Sequence, residues 1–402
     1  MSLDLATTIQ HVDGLANHLK DSQDSRLLKL SEAVLAVSLS KMEHLQDKLN
    51  GASGRPFLWA KAVDGLEGSA WPSEMPKDFC VLSVDGSHID VDRHLPVACA
   101  LINIGGCVLR YGSQPGAHLF NRPTLYFGDD LYLTEHGSRV TEVPIEGPLL
   151  GLKRTIKEIT ELKSLIDEAP MDLPALALVD GSLVLWPLSG RGFPPLVKEA
   201  IITLGLIPVL ESLRGLAKQR TLSLAAYVSM PRSTEVVNTL RLYLCDTSSA
   251  ECAAKCSNRR SPTSPCNMVN DILDRDLFQR LLQPGQRSNL FATNSSVVRE
   301  NYGDQHQIYF FYLHTGDEIA RVEMPRWATE ETSLVSLAHA LILDQCRRGM
   351  GYPVAISEAH EQAVITGPER QQFRELMDAS LTQHGLPVFS SEKNRSKRMA
   401  SL

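Results

Sequence analysis

Apolar residues recur every three or four positions in several stretches, which is the spacing of a helix that buries one face. Between Leu5 and Leu49 this pattern predicts two helices, separated at the polar residues 21–25. Residues 149–167 carry one apolar stripe, and Pro170 follows it. Other helices are predicted over residues 197–220, 234–244, 332–348 and 369–384.

Short apolar runs between these helices predict strands. The first covers 79–85, and the runs 97–104 and 108–112 are interpreted as two strands joined by a turn at Gly105-Gly106. The stretch from there to residue 148 is interpreted as loops. The run 176–180 is apolar up to its final Asp, which is typical of a strand covered on both faces. Further strands are expected at 222–228, 308–313 and 319–324.

Composition and charge narrow the function classes. The chain has 402 residues, of which 43% are hydrophobic and 22% charged, so a globular protein is expected, either with two or three average domains or with one large domain carrying insertions. The order of strands and helices indicates the α/β class. The formal charge of -7 excludes a generally basic surface, and any nucleic acid must be held in a local groove. The N-terminus carries no signal-peptide pattern, and the longest apolar run, 200–210, is too short to cross a bilayer. A cytoplasmic protein is expected.

Three regions are predicted along the chain. N-terminal helices occupy 1–50, the main domain occupies 77–366, and a helix with a basic tail occupies 367–402. The main domain contains a Ser-, Cys- and Arg-rich insertion around 246–266. A structural zinc or iron-sulfur site there is disfavoured because the cysteines form no Cys-x-x-Cys pair. These cysteines are Cys245, Cys252, Cys256 and Cys266.

One short pattern occurs twice: an apolar run followed by Asp-Gly-Ser, at Asp85 and again at Asp180. In each copy a buried-type strand delivers a carboxylate at its end, and the glycine lets the chain turn sharply. Either copy alone is ordinary turn chemistry. Because ligand sites in α/β sheets form at the carboxyl ends of strands, two copies flanking a crossover helix favour one shared site.

Two ionised carboxylates at one sheet edge repel each other unless a cation lies between them. Oxygen ligands suit Mg²⁺ or Mn²⁺, and a pair of such ions about 4 Å apart promotes phosphodiester hydrolysis. A third carboxylate is expected from the helix at 149–167. Glu158 lies at the margin of its apolar stripe and is preferred over Glu161, which lies nearly opposite the stripe and is interpreted as a solvated residue.

The order of strand-Asp, two strands, helix-Glu and strand-Asp resembles the ribonuclease H-like fold, a mixed sheet flanked by helices. Within that fold the chain resembles the NurA nucleases. The matching segments include the doubled Asp-Gly-Ser and a Tyr-Pro followed by Ala-His, which together are fairly specific. They lie at 84–88, 178–186, 225–241, 319–325 and 351–365.

The resemblance implies a Mn²⁺- or Mg²⁺-dependent DNA nuclease with 5′ to 3′ exonuclease and single-strand endonuclease activity. It also implies a ring-like homodimer that works with the hexameric HerA translocase in DNA-end processing and repair. On this interpretation Asp85, Glu158 and Asp180 hold the metal ions, and Tyr352 and His360 complete the catalytic site. A histidine there can exchange a proton near neutral pH, and the tyrosine can hydrogen-bond a phosphate, although both residues also suit plain packing roles.

Basic residues around the strand at 222–228 are candidates for a DNA groove, and Tyr227 and Trp186 are candidates to stack bases. A solvated charged face explains each basic residue equally well. His88 and His94 follow the first Asp and are interpreted as surface histidines. The basic residues are Arg214, Lys218, Arg220, Arg232, Lys255, Arg259 and Arg260.

Two other functions stay open. One is a noncatalytic DNA-binding or assembly subunit with a structural metal, which the doubled carboxylate disfavours because a binder needs positive charge at that position. The other is a different ribonuclease H-like nuclease that acts on junctions or RNA.

Overall fold

The computed structural model describes residues 4–50, 52, 57–92, 97–136, 140–170, 172–190, 192–245 and 265–388. The contacts divide the chain into two compact units. The first unit contains the described parts of Met1–Pro72, Val228–Ser295 and Tyr309–Val322. The second unit contains the described parts of Ser73–Tyr227, Ser296–Ile308 and Glu323–Leu402.

The strands in chain order are β1 (Ala60–Ala62), β2 (Ser69–Ala70), β3 (Phe79–Ile89), β4 (Cys99–Tyr111), β5 (Gly116–Phe127), β6 (Tyr132–His136), β7 (Val140–Pro144), β8 (Ala175–Asp180), β9 (Leu222–Val228), β10 (Arg287–Ser288), β11 (Phe291–Thr293), β12 (Ile308–His314) and β13 (Ile319–Pro325). The helices are α1 (Leu5–Ser38), α2 (Met42–Asn50), α3 (Pro148–Glu168), α4 (Pro195–Lys198), α5 (Ile207–Ala217), α6 (Glu235–Leu244), α7 (Asp274–Leu281), α8 (Ser296–Asn301), α9 (Arg326–Thr329), α10 (Thr332–Arg348), α11 (Val354–Ala363) and α12 (Gly367–Gln383).

In the second unit five strands lie side by side in the order β5-β4-β3-β8-β9. The first three are antiparallel to one another, whereas β8 and β9 run parallel to β3. β8 is buried throughout except for its final Asp, as expected for a strand covered on both faces. Helices α3 and α11 pack against this sheet. The predicted ribonuclease H-like mixed sheet flanked by helices is therefore confirmed.

The predicted turn at Gly105-Gly106 is wrong, because both residues lie inside the single long strand β4. A Cβ on Gly105 would collide with the backbone of α11 at Ala363, and one on Gly106 would come within 2.5 Å of the Phe120 ring. The glycines therefore permit close packing on the two sides of the sheet. The strand that follows β4 in the sheet is β5 (Gly116–Phe127), which lies in the stretch that the sequence pattern had predicted to be loops.

In the first unit, helices α1, α2, α6 and α7 share one hydrophobic cluster with strands β1, β11 and β12. The predicted separation of the N-terminal helices at 21–25 is wrong, since α1 continues unbroken from Leu5 to Ser38. These polar residues include neither Gly nor Pro and are exposed, so helix geometry accommodates them. Of the cysteines in the predicted insertion, Cys245 and Cys266 are buried, and Cys252 and Cys256 lie outside the described residues.

One helical segment, Pro195–Ala217, runs through α4, a π-helical stretch at Glu199–Leu206 and α5. By length and composition alone, its 23 residues could cross a membrane. The sequence had predicted an apolar run, 200–210, too short to do so. A helix that packs on a protein core meets the same criterion. This one contacts α3, where Gly205 lies against Ile156.

Candidate active site

Asp85 and Asp180 lie next to each other at one edge of the five-stranded sheet. The parallel pairing of β3 and β8 runs up to Val84 and Val179, and the two aspartates are the next residues on each strand. Because neighbouring strands are about 4.8 Å apart, the backbones of the two residues are close. The structure thus brings together the two carboxylates of the doubled pattern.

The two Asp-Gly-Ser copies differ in local structure. Gly181 has a φ of +82°, which suits glycine, and its N–H donates to the Tyr227 carbonyl as the chain leaves the sheet. Gly86 instead stays within β3, where a Cβ would lie 2.5 Å from Glu158 Oε1. The first glycine is therefore required by the helix above it, and the prediction of a turn holds only for the second.

Glu158 projects from α3 onto Gly86 and is buried, with 7% of its surface exposed. Burial, together with smaller contributions from the nearby Asp85 and Asp180, raises the pKa of this carboxyl to about 7, while Arg154 opposes the shift. Arg154 Nε lies 2.9 Å from Glu158 Oε1, yet the two atoms do not have hydrogen-bond geometry. Sequence reasoning missed Arg154, although its spacing of four residues before Glu158 on a helix is a usable signal.

Glu161 points away from this group of acids. Its carboxylate is 2.8 Å from Arg122 and 3.5 Å from Lys157, and its side chain is only 13% exposed. It is therefore an ion-paired residue and not the solvated one that the helical pattern suggested. Of the two candidates, Glu158 is the one that lies near Asp85 and Asp180.

His360, in α11, contacts Asp85, and Tyr352, just before α11, contacts Asp180. His360 Nδ1 lies 2.6 Å from Asp85 Oδ2, and the Tyr352 hydroxyl donates to Asp180 Oδ1 at 2.8 Å. Asp85 Oδ1 also accepts the N–H of Gly86 at 2.7 Å. These contacts bring all five residues of the predicted site into one region of the second unit.

The packing of α11 on the sheet sets the position of His360. Gly105 lets the helix backbone approach β4, and the Asn103 amide donates to the Ala363 carbonyl at 2.9 Å. Ser87 Oγ, two residues after Asp85, donates to the same carbonyl at 2.5 Å. The serine of the first Asp-Gly-Ser therefore anchors the helix that carries the histidine.

The environment of Asp180 disfavours its charged form. Although Asp180 is the exposed residue of β8, the surrounding protein partly shields its carboxyl from solvent and raises its pKa; the hydrogen bond from Tyr352 lowers the pKa, and the neighbouring Asp85 adds to the rise. The shifts at Asp180 and Glu158 have the same cause, which is negative charge held in a partly buried place without enough positive charge to balance it.

Within the described ranges, no group of three or more His, Cys, Asp or Glu side chains has the arrangement of a formed metal site. The side chains present still fit a hard divalent cation. Glu158 Oε1 is buried with no hydrogen-bond partner among the described residues, and the two nearby aspartates add negative charge. Oxygen donors of this type are the ones that Mg²⁺ and Mn²⁺ prefer.

Several sequence candidates for nucleic-acid contact have other roles. Arg220 is buried and donates to carbonyls at the end of α3, and Tyr227 is fully buried, so neither can contact DNA. Arg214 pairs with Glu211. His88 is half-buried, and burial and Arg154 lower its pKa. The candidates His94, Lys255, Arg259 and Arg260 lie outside the described residues.

Comparison with known proteins gives one family. The sequence profile of the NurA domain matches residues 80–365, which is more than two thirds of the chain and includes all five candidate site residues. No curated protein matches the chain at a significant level.

Among solved structures, the chain is similar to the NurA nuclease of Sulfolobus solfataricus at 10% identity and a TM-score of 0.48, covering 96% of this chain and 98% of that one. It is similar to the catalytic domain of human Endonuclease V at 15% identity and a TM-score of 0.30, covering 87% and 100%. The Argonaute of Aquifex aeolicus matches at 10% identity and a TM-score of 0.26, covering 72% and 28%.

Proposed function

This chain belongs to the NurA family, and on that premise we propose that it is a divalent-metal-dependent nuclease that hydrolyses DNA phosphodiesters. The observation that carries the proposal is the meeting of Asp85, Glu158 and Asp180 at one sheet edge, where Glu158 Oε1 is buried without a hydrogen bond and has Arg154 as a neighbouring cation. A noncatalytic DNA binder would gain nothing from negative charge there, because it would repel phosphate.

Asp85, Glu158 and Asp180 are the residues proposed to hold Mn²⁺ or Mg²⁺. When bound, such ions supply positive charge that activates a water and stabilises the leaving oxygen of a phosphodiester. The three carboxylates also fix where that charge lies, since Asp85 and Asp180 lie on neighbouring parallel strands and Glu158 projects from a packed helix.

His360 is proposed to carry a proton during hydrolysis. Its Nδ1 is bonded to Asp85, which fixes the ring and leaves Nε2 to exchange a proton with the reacting groups. The side chain is 57% exposed, so substrate and solvent can reach it. Tyr352 holds Asp180 through its hydroxyl and is proposed to orient that carboxylate.

The finer activities come from the family resemblance. We expect 5′ to 3′ exonuclease and single-strand endonuclease activity in DNA-end processing and repair, in the cytoplasm, by a homodimer that works with a HerA-type translocase. Cleavage of junctions or RNA is the second candidate among ribonuclease H-like activities, and substrate comparison separates the two.

The direct test incubates the protein with labelled single- and double-stranded DNA and RNA in Mg²⁺, Mn²⁺ or EDTA. Cleavage of DNA that requires the metal, lost in Asp85→Ala with DNA binding kept or improved, supports the proposal. Binding improves in that variant because a negative charge is removed. Intact cleavage by Asp85→Ala, or binding without cleavage by the wild-type protein, contradicts it.

A further inference from the structure

The loop that follows Asp180 is held by a buried carboxylate from a distant part of the second unit. Glu323 is 1% exposed, and its Oε2 accepts a hydrogen bond from Ser182 Oγ at 2.8 Å and from the Leu183 N–H at 2.9 Å. Ser182 is the serine of the second Asp-Gly-Ser and stands two residues after the aspartate. Glu323 therefore fixes the chain immediately beyond the candidate metal ligand.

Ser182 extends this contact along the loop. Its hydroxyl gives its proton to Glu323 and accepts the N–H of Val184 at 3.0 Å and the indole N–H of Trp186 at 3.1 Å. The Ser182 side chain thus links a buried carboxylate to two other groups of the loop, the Val184 N–H and the Trp186 indole. Such a network has a defined donor and acceptor at each contact, which favours a single loop conformation.

Tyr302 holds the same loop independently. Its hydroxyl donates to the Leu183 carbonyl at 2.9 Å and accepts the Leu185 N–H at 3.0 Å, and the side chain is only 1% exposed. Burial raises the pKa of this phenol well above its usual value, so it remains a hydrogen-bond donor at all working pH values. Two buried side chains therefore satisfy successive backbone groups of residues 183–185.

The energetic cost of this arrangement indicates why it matters. Burying a carboxylate is unfavourable unless charged hydrogen bonds compensate, and a hydrophobic residue would pack in the same strand at lower cost. Two of the donors that Glu323 meets, Ser182 Oγ and the Leu183 N–H, come from the loop after Asp180. The carboxylate is thus placed to define that loop, whose first residue, Gly181, needs a positive φ.

We propose that Glu323 and Tyr302 are positioning residues that hold the turn after Asp180 and so preset the Asp180 carboxylate to receive a divalent cation. The inference rests on the proposed nuclease function and adds two residues to its site. Outer residues of this kind orient metal ligands, and losing one typically weakens metal binding by about 10- to 100-fold.

The test compares Glu323→Gln and Tyr302→Phe with a matched control, Glu235→Gln. Glu235 is an equally buried glutamate of the first unit, 3% exposed and paired with Arg321, and it belongs to no part of the proposed site. Mn²⁺ affinity is measured by electron paramagnetic resonance without DNA, and thermal unfolding, kcat and KM are measured beside it. Ser182→Ala serves as the milder variant if Glu323→Gln does not fold.

We expect Glu323→Gln and Tyr302→Phe each to raise the Mn²⁺ dissociation constant by about 10-fold or more and to lower kcat with little change in KM. Glu235→Gln lowers the unfolding temperature and leaves Mn²⁺ affinity unchanged. If the Glu323 and Tyr302 variants lose stability but bind Mn²⁺ like the wild type, the positioning role is wrong and these side chains only stabilise the fold. Failure of the wild-type protein to bind Mn²⁺ or cleave DNA would overturn the proposed function instead.

Discussion

His360 Nδ1 lies 2.6 Å from Asp85 Oδ2, a contact between residues 275 positions apart in the chain. It joins the middle of β3 to α11, whose backbone is held close to the sheet by Gly105. When Nδ1 carries its proton, Asp85 accepts this hydrogen bond and fixes both the orientation and the tautomer of the imidazole. The aspartate thus serves the proposed metal site and the histidine at the same time.

Glu158→Gln is expected to abolish cleavage, whereas Glu161→Gln should leave most of it. Glu158 lies near Asp85 and Asp180, while Glu161 is ion-paired with Arg122. Cleavage rates at saturating Mn²⁺ measure the difference, with circular dichroism to check folding. The reverse order of activities would assign the third carboxylate to Glu161.

The metal-free protein should lose stability as the pH rises. The folded pKa of Glu158, about 7, lies above its usual 4.5, so its stabilising contribution is complete below pH 4.5 and is lost as the pH rises through 7. This one group lowers the free energy of unfolding by about 3 kcal/mol over that interval. The raised pKa of Asp180 acts in the same direction.

Urea unfolding in EDTA at pH 5 to 8 measures this loss. The free energy of unfolding should fall more steeply with rising pH in the wild-type protein than in Glu158→Gln, because the other titrating groups are common to both proteins. Mn²⁺ added at pH 8 should restore stability in the wild type and not in the variant. Parallel pH profiles would show that Glu158 keeps an ordinary pKa.

Tyr352→Phe should reduce kcat by about 10-fold, since it removes one hydrogen bond to Asp180. That bond lowers the pKa of Asp180, so the acidic limb of the pH–rate profile should move to higher pH in the variant. An unchanged acidic limb in Tyr352→Phe would show that the tyrosine does not affect Asp180.

His360→Asn should reduce kcat by about 100-fold or more if the imidazole transfers a proton.

Gly86→Ala tests the contact between β3 and α3. The new Cβ would lie 2.5 Å from Glu158 Oε1 and 2.9 Å from Arg154 Cγ, so Glu158 must move. We expect a loss of about 1 to 3 kcal/mol in stability and a strong loss of cleavage. Gly151→Ala, in α3 with no described heavy atom within 4 Å of the new Cβ, is the control and should be neutral or stabilising.

The sequence predicted the parts of this site that depend on local pattern. The doubled Asp-Gly-Ser after apolar runs indicated two neighbouring strands that each carry an aspartate, and helical phase distinguished Glu158 from Glu161. Only β8 ends at its aspartate, because β3 continues to Ile89. Both deductions need only strand alternation and helix geometry, which the chain itself encodes.

Features that depend on distant neighbours were not predicted. β5 lacks a clear apolar pattern because it is an edge strand largely exposed on both faces, so it was interpreted as loops. Whether Arg220 and Tyr227 can contact DNA depends on which elements cover them, and both are buried. Glu323 gave one usable signal, as the one acid in the strand Ile319–Pro325, but its partner at Ser182 is visible only in the fold.

The proposed nuclease site requires a divalent cation where Asp85 and Asp180 meet, and anomalous scattering from crystals grown with Mn²⁺ is the most direct measurement of it. We expect a Mn²⁺ peak in contact with both carboxylates, absent from crystals of Asp85→Asn. The proposed metal site would be contradicted if protein that cleaves DNA in Mn²⁺ gave a map with no peak at this edge of the sheet. It would also be contradicted if the two carboxylates lay more than about 10 Å apart.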